Sequence, residues 1–212
     1  MHVRTALVTV IIAASTLTAC AGGTQQGKAE RAGTTASKSP DCGPNSTLSQ
    51  SDWIDQCSSA SATPAEKKPE TELAVGDTFA YKDGLKVTIT GINKITHYGE
   101  YDDRPDAAHA AFRVKLSVTN GTTRPYDLDN LGYNAEGATK GGETEFISVE
   151  PGSKQMTGRL APNHTGAFTA EYSIAKTDGN TIVFTVSRMD DAFLKDDSAY
   201  LGDDPNWTGE IK

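Results

Sequence analysis

Residues 97–109 read HYGEYDDRPDAAH, two imidazoles enclosing four carboxylates and two phenols. Imidazole together with carboxylate is ligand chemistry for Zn²⁺ or Cu²⁺, whereas carboxylates alone suit Ca²⁺. If the segment joins two strands of a hairpin, His97 and His109 stand at neighbouring strand ends with Glu100, Asp102, Asp103 and Asp106 between them. Two other readings fit the same residues. Tyr98 and Tyr101 are large amphipathic contact residues of the kind that serve a partner-binding loop. The acids also suit a solvated loop kept from aggregating by its charge, and on that reading no metal binds. A second acidic stretch, Asp127-Leu128-Asp129-Asn130, lacks the Gly and distal Glu of a Ca²⁺ loop and reads as a turn.

Catalysis needs a nucleophile, a base and a group to orient it. The chain has no G-x-S-x-G elbow, no H-E-x-x-H and no phosphate-binding P-loop. Of its four histidines one is His2, inside the leader described below. The expectation is therefore a protein that is not an enzyme, with no catalytic residues and no resident cofactor, a divalent metal at the 97–109 loop being the alternative.

The elements that must position this loop are strands, because the apolar residues on either side recur with a period of two. Leu85, Val87 and Ile89 alternate with Lys86, Thr88 and Thr90, after which Gly91 marks a bulge before Ile92. Ala110, Phe112, Val114, Leu116 and Val118 form one face of the next run, and Arg113, Lys115 and Ser117 the other. Phe168, Ala170, Tyr172 and Ile174 make a third set, and Ile182, Phe184 and Val186 a fourth. Weaker runs cover 78–81, 126–131, 145–149 and 156–160. Lys82-Asp83-Gly84, Asn120-Gly121, Pro151-Gly152 and Asp178-Gly179-Asn180 supply turns between them. Seven or eight short strands in 73–212, with no helical periodicity, predict an all-β antiparallel sandwich. An acidic tail follows Met189, in which one or two of Phe193, Tyr200 and Trp207 are expected to dock while the paired aspartates stay solvated.

The first 20 residues, MHVRTALVTVIIAASTLTAC, carry Arg4 ahead of an apolar core over Thr5–Ser15. Eleven helical residues span only about 16 Å against a hydrocarbon layer of about 30 Å, so the segment reads as a signal peptide, 1–19. Leu17-Thr18-Ala19-Cys20 resembles the lipobox of bacterial prolipoproteins, in which the Cys thiol receives diacylglycerol. That implies a membrane-lipid anchor, palmitate-type acyl chains included, on Cys20. A low-complexity tether follows over 20–72. Ala21–Ser39 has no aromatic and no β-branched apolar residue and is expected to be a flexible spacer, as is the Pro- and charge-rich 58–72. Between them Cys42 and Cys57 are expected to form a disulfide, an oxidising compartment being implied by export. Ser49-Gln50-Ser51-Asp52 fits the start of a short helix over 50–57.

Val75-Gly76-Asp77-Thr78-Phe79, Asp83-Gly84-Leu85-Lys86-Val87-Thr88-Ile89, Phe112–Asn120, Pro151-Gly152 with Thr157-Gly158, and Ala170-Glu171-Tyr172-Ser173-Ile174 occur in an order that resembles a known family. It is similar to the uncharacterised extracellular domain of many Gram-positive lipoproteins, related to the secreted immunoprotective antigen of mycobacteria. The resemblance implies an immunoglobulin-like sandwich at the cell surface and carries no catalytic residues.

Composition narrows the partners. The 212 residues hold 20 Lys and Arg against 28 Asp and Glu, a net charge of −8. Phosphate neutralisation requires clustered cations, so a general nucleic-acid binder is excluded. No apolar run reaches 18 residues, which excludes a multi-span membrane protein. The reading is a lipid-anchored extracellular binding or structural module at the outer face of the cytoplasmic membrane, meeting another envelope protein or a wall component.

Overall fold

The period-two runs become strands with the expected faces in a computed structural model, which describes residues 27–33, 46, 49–52, 70–190 and 204–212. In chain order they are β1 (Gly27–Glu30), β2 (Glu72–Ala74), β3 (Thr78–Tyr81), β4 (Leu85–Lys94), β5 (His109–Asn120), β6 (Tyr126–Asp127), β7 (Leu131–Gly137), β8 (Thr144–Phe146), β9 (Arg159–Leu160), β10 (His164–Ala175), β11 (Thr181–Arg188) and β12 (Asn206–Glu210). Six form one sheet in the order β1-β3-β4-β5-β10-β8, four form a second in the order β2-β12-β11-β7, and β6 pairs with β9. The pairings are antiparallel, with β12 against β2 as a parallel exception.

Alternation places Phe112, Val114, Leu116 and Val118 of β5 on the inner face, each at most 1% exposed. Across the core Ile182, Phe184 and Val186 of β11 are fully buried, as are Leu85, Val87 and Ile89 of β4. These side chains make one continuous core between the two sheets. Tyr172 of β10 meets Phe184 of β11 edge to face at 6.3 Å, joining the layers. The all-β sandwich is thus the fold, and the register shift between Ile89 and Gly91 is the expected bulge.

The registers define two ends. Lys94 opposite Phe112, and His109 opposite Ala175, mark the upper end, where loops 95–108, 138–143 and 176–180 lie. Leu85 and His164, both opposite Asn120, mark the lower end with loops 82–84, 121–125 and 161–163.

Several expectations are corrected. Gly27–Glu30, read as spacer, is an edge strand in register with β3, Gly27 opposite Tyr81 and Glu30 opposite Thr78. Backbone pairing asks for no apolar side chain, and Gly27 is required by contact: a Cβ there would lie 2.5 Å from the Ala80 carbonyl oxygen and the Phe79 ring. Lys86 Nζ donates to both Glu30 carboxylate oxygens at 2.9 Å. The strand count exceeds seven or eight because β1, β2, β7 and β12 add pairings that short or polar sequence conceals. The weak run over 126–131 is two residues of β6 and a 3-10 turn, Leu128–Asn130, whose Asp127 carboxylate accepts the Asp129 N–H at 3.2 Å. That turn is the expected one. The tail is structural at its far end, since Trp207 of β12 is fully buried and its Nε1 donates to the Asp77 carbonyl at 2.9 Å.

Ser49 caps the helical residues 50–52, its hydroxyl accepting the Asp52 N–H at 3.2 Å and donating to the Asp52 carboxylate at 2.6 Å. The signal segment, Cys20, Cys42, Cys57, the remainder of the expected helix, Phe193 and Tyr200 lie outside the described residues.

Candidate functional site

The loop between β4 and β5 is held by its acids. Asp102 accepts the Gly99 N–H at 2.5 Å through Oδ2 and the Glu150 N–H at 2.9 Å through Oδ1. Asp103 forms a reciprocal pair with Ser148, its N–H donating to the Ser148 carbonyl and its carboxylate accepting the Ser148 N–H, each at 2.9 Å. Both carboxylates therefore clamp loop 95–108 onto segment 147–150, as charge-assisted acceptors of backbone N–H groups. Asp106 turns to His109, with Oδ1 2.6 Å from Nδ1, and accepts the Ala108 N–H at 2.9 Å. The His109 bond first, and then the Ala108 N–H, hold the Asp106 carboxyl below its ordinary value.

His97 takes a different neighbour, its Nδ1 lying 2.9 Å from the Thr96 hydroxyl. The two histidines and four acids do not share a centre, and among the described residues no group of three His, Cys, Asp or Glu is placed to hold a metal ion. Asp102, Asp103 and Asp106 each accept nearby N–H groups, which turns them toward separate partners. The tyrosines also part company. Tyr98 packs on Ile95, Ala111, Ile147 and Val149, with the Arg104 guanidinium 5.1 Å from its ring centroid. Tyr101 is 91% exposed, and Glu100 beside it is exposed as well.

Beneath this loop lies an ion pair on the outward face of the larger sheet. Arg113 of β5 stands opposite Glu171 of β10, and its Nε donates to Glu171 Oε1 at 2.6 Å. Arg113 Nη2 donates to the Val149 carbonyl at 3.3 Å, and the Ser153 hydroxyl reaches Glu171 Oε2 at 3.3 Å. Segment 147–153 covers the pair, leaving the side chains 14% and 4% exposed. Gly152 makes the cover possible: its φ is +81°, and a Cβ would sit 2.7 Å from Arg113 Nη1. Lys176 Nζ donates to the Ala107 carbonyl at 2.6 Å and Lys140 Nζ to the Thr177 carbonyl at 2.7 Å, tying the upper loops to one another. The upper end is thus a braced platform that presents Tyr101.

At the lower end a cavity of about 570 Å³ is lined in part by Arg124, Arg159, Tyr126 and Arg188. Arg188 is buried between the rings of Tyr81 and Tyr126, 5.1 and 5.3 Å from their centroids. Its Nη2 bonds Asp83 at 2.7 Å, its Nε bonds Asp190, and the Tyr126 hydroxyl donates to Asp190 at 2.9 Å. Burial opposes the charge on Arg188, but bonds to Asp83 and Asp190 outweigh it and push its pKa up. Burial likewise pushes both tyrosines up. Asp190, expected to be solvated, is buried here as a partner of Arg188. Nothing in the spacing announced this cluster, because Asp83 lies 105 residues from Arg188.

No protein-family model and no curated protein matches the chain. Solved structures similar to it include an uncharacterised β-sandwich protein of Clostridium difficile, at 12% identity over 71% of this chain and 99% of that one, with a TM-score of 0.38. A candidate lipoprotein of Bacillus subtilis, YcdA, is similar at 14% identity over 60% of this chain and 37% of its own, TM-score 0.41. A conserved hypothetical protein of Bacillus anthracis shares 16% identity over 53% of this chain and 88% of that one, TM-score 0.39. The finer resemblance to the mycobacterial antigen has no sequence-level match behind it. At the coarser level, the neighbours are β-sandwich proteins without assigned function and a candidate lipoprotein.

Proposed function

We propose that the protein is a lipid-anchored, non-catalytic binding module at the outer face of the cytoplasmic membrane. It is held through acylated Cys20, needs no resident cofactor, and meets another envelope protein or a wall component with the upper end of its sandwich. The observation that carries this is the docking of β1. Gly27 stands opposite Tyr81 at the lower end, and only six residues, 21–26, separate it from Cys20. Seven Cα–Cα steps reach at most about 25 Å even when fully extended. The lower end is thereby kept near the head groups, and β5, twelve residues long, sets the upper end about 40 Å farther out at about 3.4 Å per residue.

The chemistry supports a binding role. His97, His109 and His164 are each bonded to a group within three residues of sequence, Thr96, Asp106 and the Pro162 carbonyl. Tyr101 offers a rigid amphipathic ring at a braced loop tip, the kind of residue that dominates recognition surfaces. Photo-cross-linking in intact cells tests the reading, with benzoylphenylalanine placed at position 101 or at position 164. Discrete adducts from 101 and none of the same species from 164 are expected. The same adducts from both positions, or from 164 alone, overturn it.

A further inference from the structure

On the outward face of the larger sheet, beside the Arg113–Glu171 pair, a cavity of about 230 Å³ is lined by Lys94, Thr96, His97, Arg113, Lys115 and Pro151 among others. We propose that it is an oxyanion site that takes a phosphate group, a function beyond the anchoring and recognition described above and independent of both. Its lining contains no carboxylate, in a chain whose acids outnumber its bases 28 to 20. The register explains why these cations converge. Asn93 stands opposite Arg113 and Gly91 opposite Lys115, so Arg113 and Lys115 share the outward face, and Gly91 adds no side chain to the floor. His97 comes from the first residues of the loop that follows β4, while Lys94, opposite Phe112, ends the strand with the other parity and borders the cavity at its rim.

The donors suit a tetrahedral anion better than a planar carboxylate. Arg113 gives its Nε–H to Glu171 and an Nη2–H to the Val149 carbonyl, so its bidentate Nε/Nη2 edge is taken. What remains are separate point donors: the Lys115 ammonium group, exposed and in no ion pair among the described residues, and the His97 ring. When the Thr96 hydroxyl donates to Nδ1, the His97 proton sits on Nε2, available to an anion. Glu171 neutralises one positive charge and leaves a net excess of cation at the cavity, where a phosphate with several acceptor oxygens gains most.

The test uses the full mature chain carrying Cys20→Ser, titrated with inorganic phosphate and, at matched ionic strength, with acetate, while ring and amide resonances of His97, Arg113 and Lys115 are followed. Saturable shifts with phosphate and not acetate are expected, weakened at least tenfold by His97→Ala with Lys115→Gln and unchanged by Lys154→Gln, a lysine outside the cavity. Phosphatidylglycerol vesicles, compared with phosphatidylcholine vesicles, form the second arm. Shifts with inorganic phosphate assign the site to a soluble source, and shifts with anionic vesicles alone assign it to a lipid head group and set the upper end against a membrane, contrary to the anchored orientation. Absence of saturable shifts in both arms, or shifts that survive the double substitution, overturns the site. Because the protein is released from the membrane throughout, that failure leaves the anchoring reading standing.

Discussion

Asp77 reaches across 45 residues of chain to Ala32, its Oδ1 accepting the Ala32 N–H at 2.7 Å. The same carboxylate accepts from the Ala74 N–H at 2.9 Å and from Arg31 Nη1 at 3.2 Å, and Arg31 also donates to the Glu72 carbonyl. One buried acid therefore joins the segment that follows β1 to the turn between β2 and β3. Replacing Asp77 with Ala removes the acceptor of two backbone N–H groups and an ion-pair partner of Arg31, and is expected to cost about 1–3 kcal/mol. Urea denaturation measures the total, and amide exchange over 27–32 should show that β1 loosens first.

The same carboxyl sets a pH dependence. Burial pushes against its charge, but the Ala74 and Ala32 N–H groups and Arg31 outweigh burial and hold it below its ordinary value of 3.8. A depressed acid contributes stability that is fully present above its unfolded value and is lost as pH falls through its folded one. Protection of the 27–32 amides should therefore be constant from neutral pH down to about 4 and should fall below it. Asp77→Asn should flatten that decline.

Arg113 and Glu171 form a buried pair, and breaking one side should leave an uncompensated charge. Glu171→Gln or Arg113→Met alone is expected to cost about 3–5 kcal/mol, whereas Arg113→Met with Glu171→Leu should recover most of it. Thermal or urea unfolding of the cycle reads the coupling. Gly152→Ala should destabilise as well, since it adds a Cβ against Arg113 Nη1 at a φ of +81°.

Trp207 is fully buried in β12, between β2 and β11. Trp207→Ala is expected to cost about 3–5 kcal/mol from lost burial and the cavity left behind. Truncation after residue 190 should remove β12, the partner that joins β2 to β11, and yield a protein that fails to unfold cooperatively by calorimetry.

Tyr101→Ala, by contrast, should leave stability within about 0.5 kcal/mol, because the ring is exposed and no buried group loses a partner. Its effect should fall on the adducts captured by benzoylphenylalanine at the neighbouring exposed position 100. Zn²⁺, Cu²⁺ or Ca²⁺ should leave the melting temperature unchanged, with or without His97→Ala and His109→Ala, since Asp102 and Asp103 hold backbone N–H groups and Asp106 holds His109.

The long strands were legible because burial and periodicity coincide in them: Phe112, Val114, Leu116 and Val118 alternate with polar residues and every one is core. Lys28 and Glu30 of β1 carry no such pattern, and β7 buries only Leu131, Ala135 and Gly137, with Asn134 and Glu136 exposed, so pairing there is set by the neighbouring strand. Trp207 was recognisable as a docking aromatic, but not as part of a strand. The 97–109 loop was found from composition, whereas the use of its acids was not, because Ser148 and Glu150 are more than 40 residues from the carboxylates they meet. Arg188 and Asp83 are farther apart still. Local spacing reports local geometry, and contacts across the sandwich follow only from the assembled sheets.

In the proposed arrangement the protein hangs from Cys20 on a leash of six residues, lower end inward. A fluorescent amino acid at position 164 or 101 of the lipidated protein in liposomes, read against a head-group quencher, tests it most directly. Strong quenching at 164 and weak quenching at 101 is expected, the difference vanishing when about 20 Gly and Ser residues are inserted before Gly27, a flexible addition with a reach of about 25 Å. Equal quenching at the two positions in the uninserted protein, or stronger quenching at 101, would contradict the account.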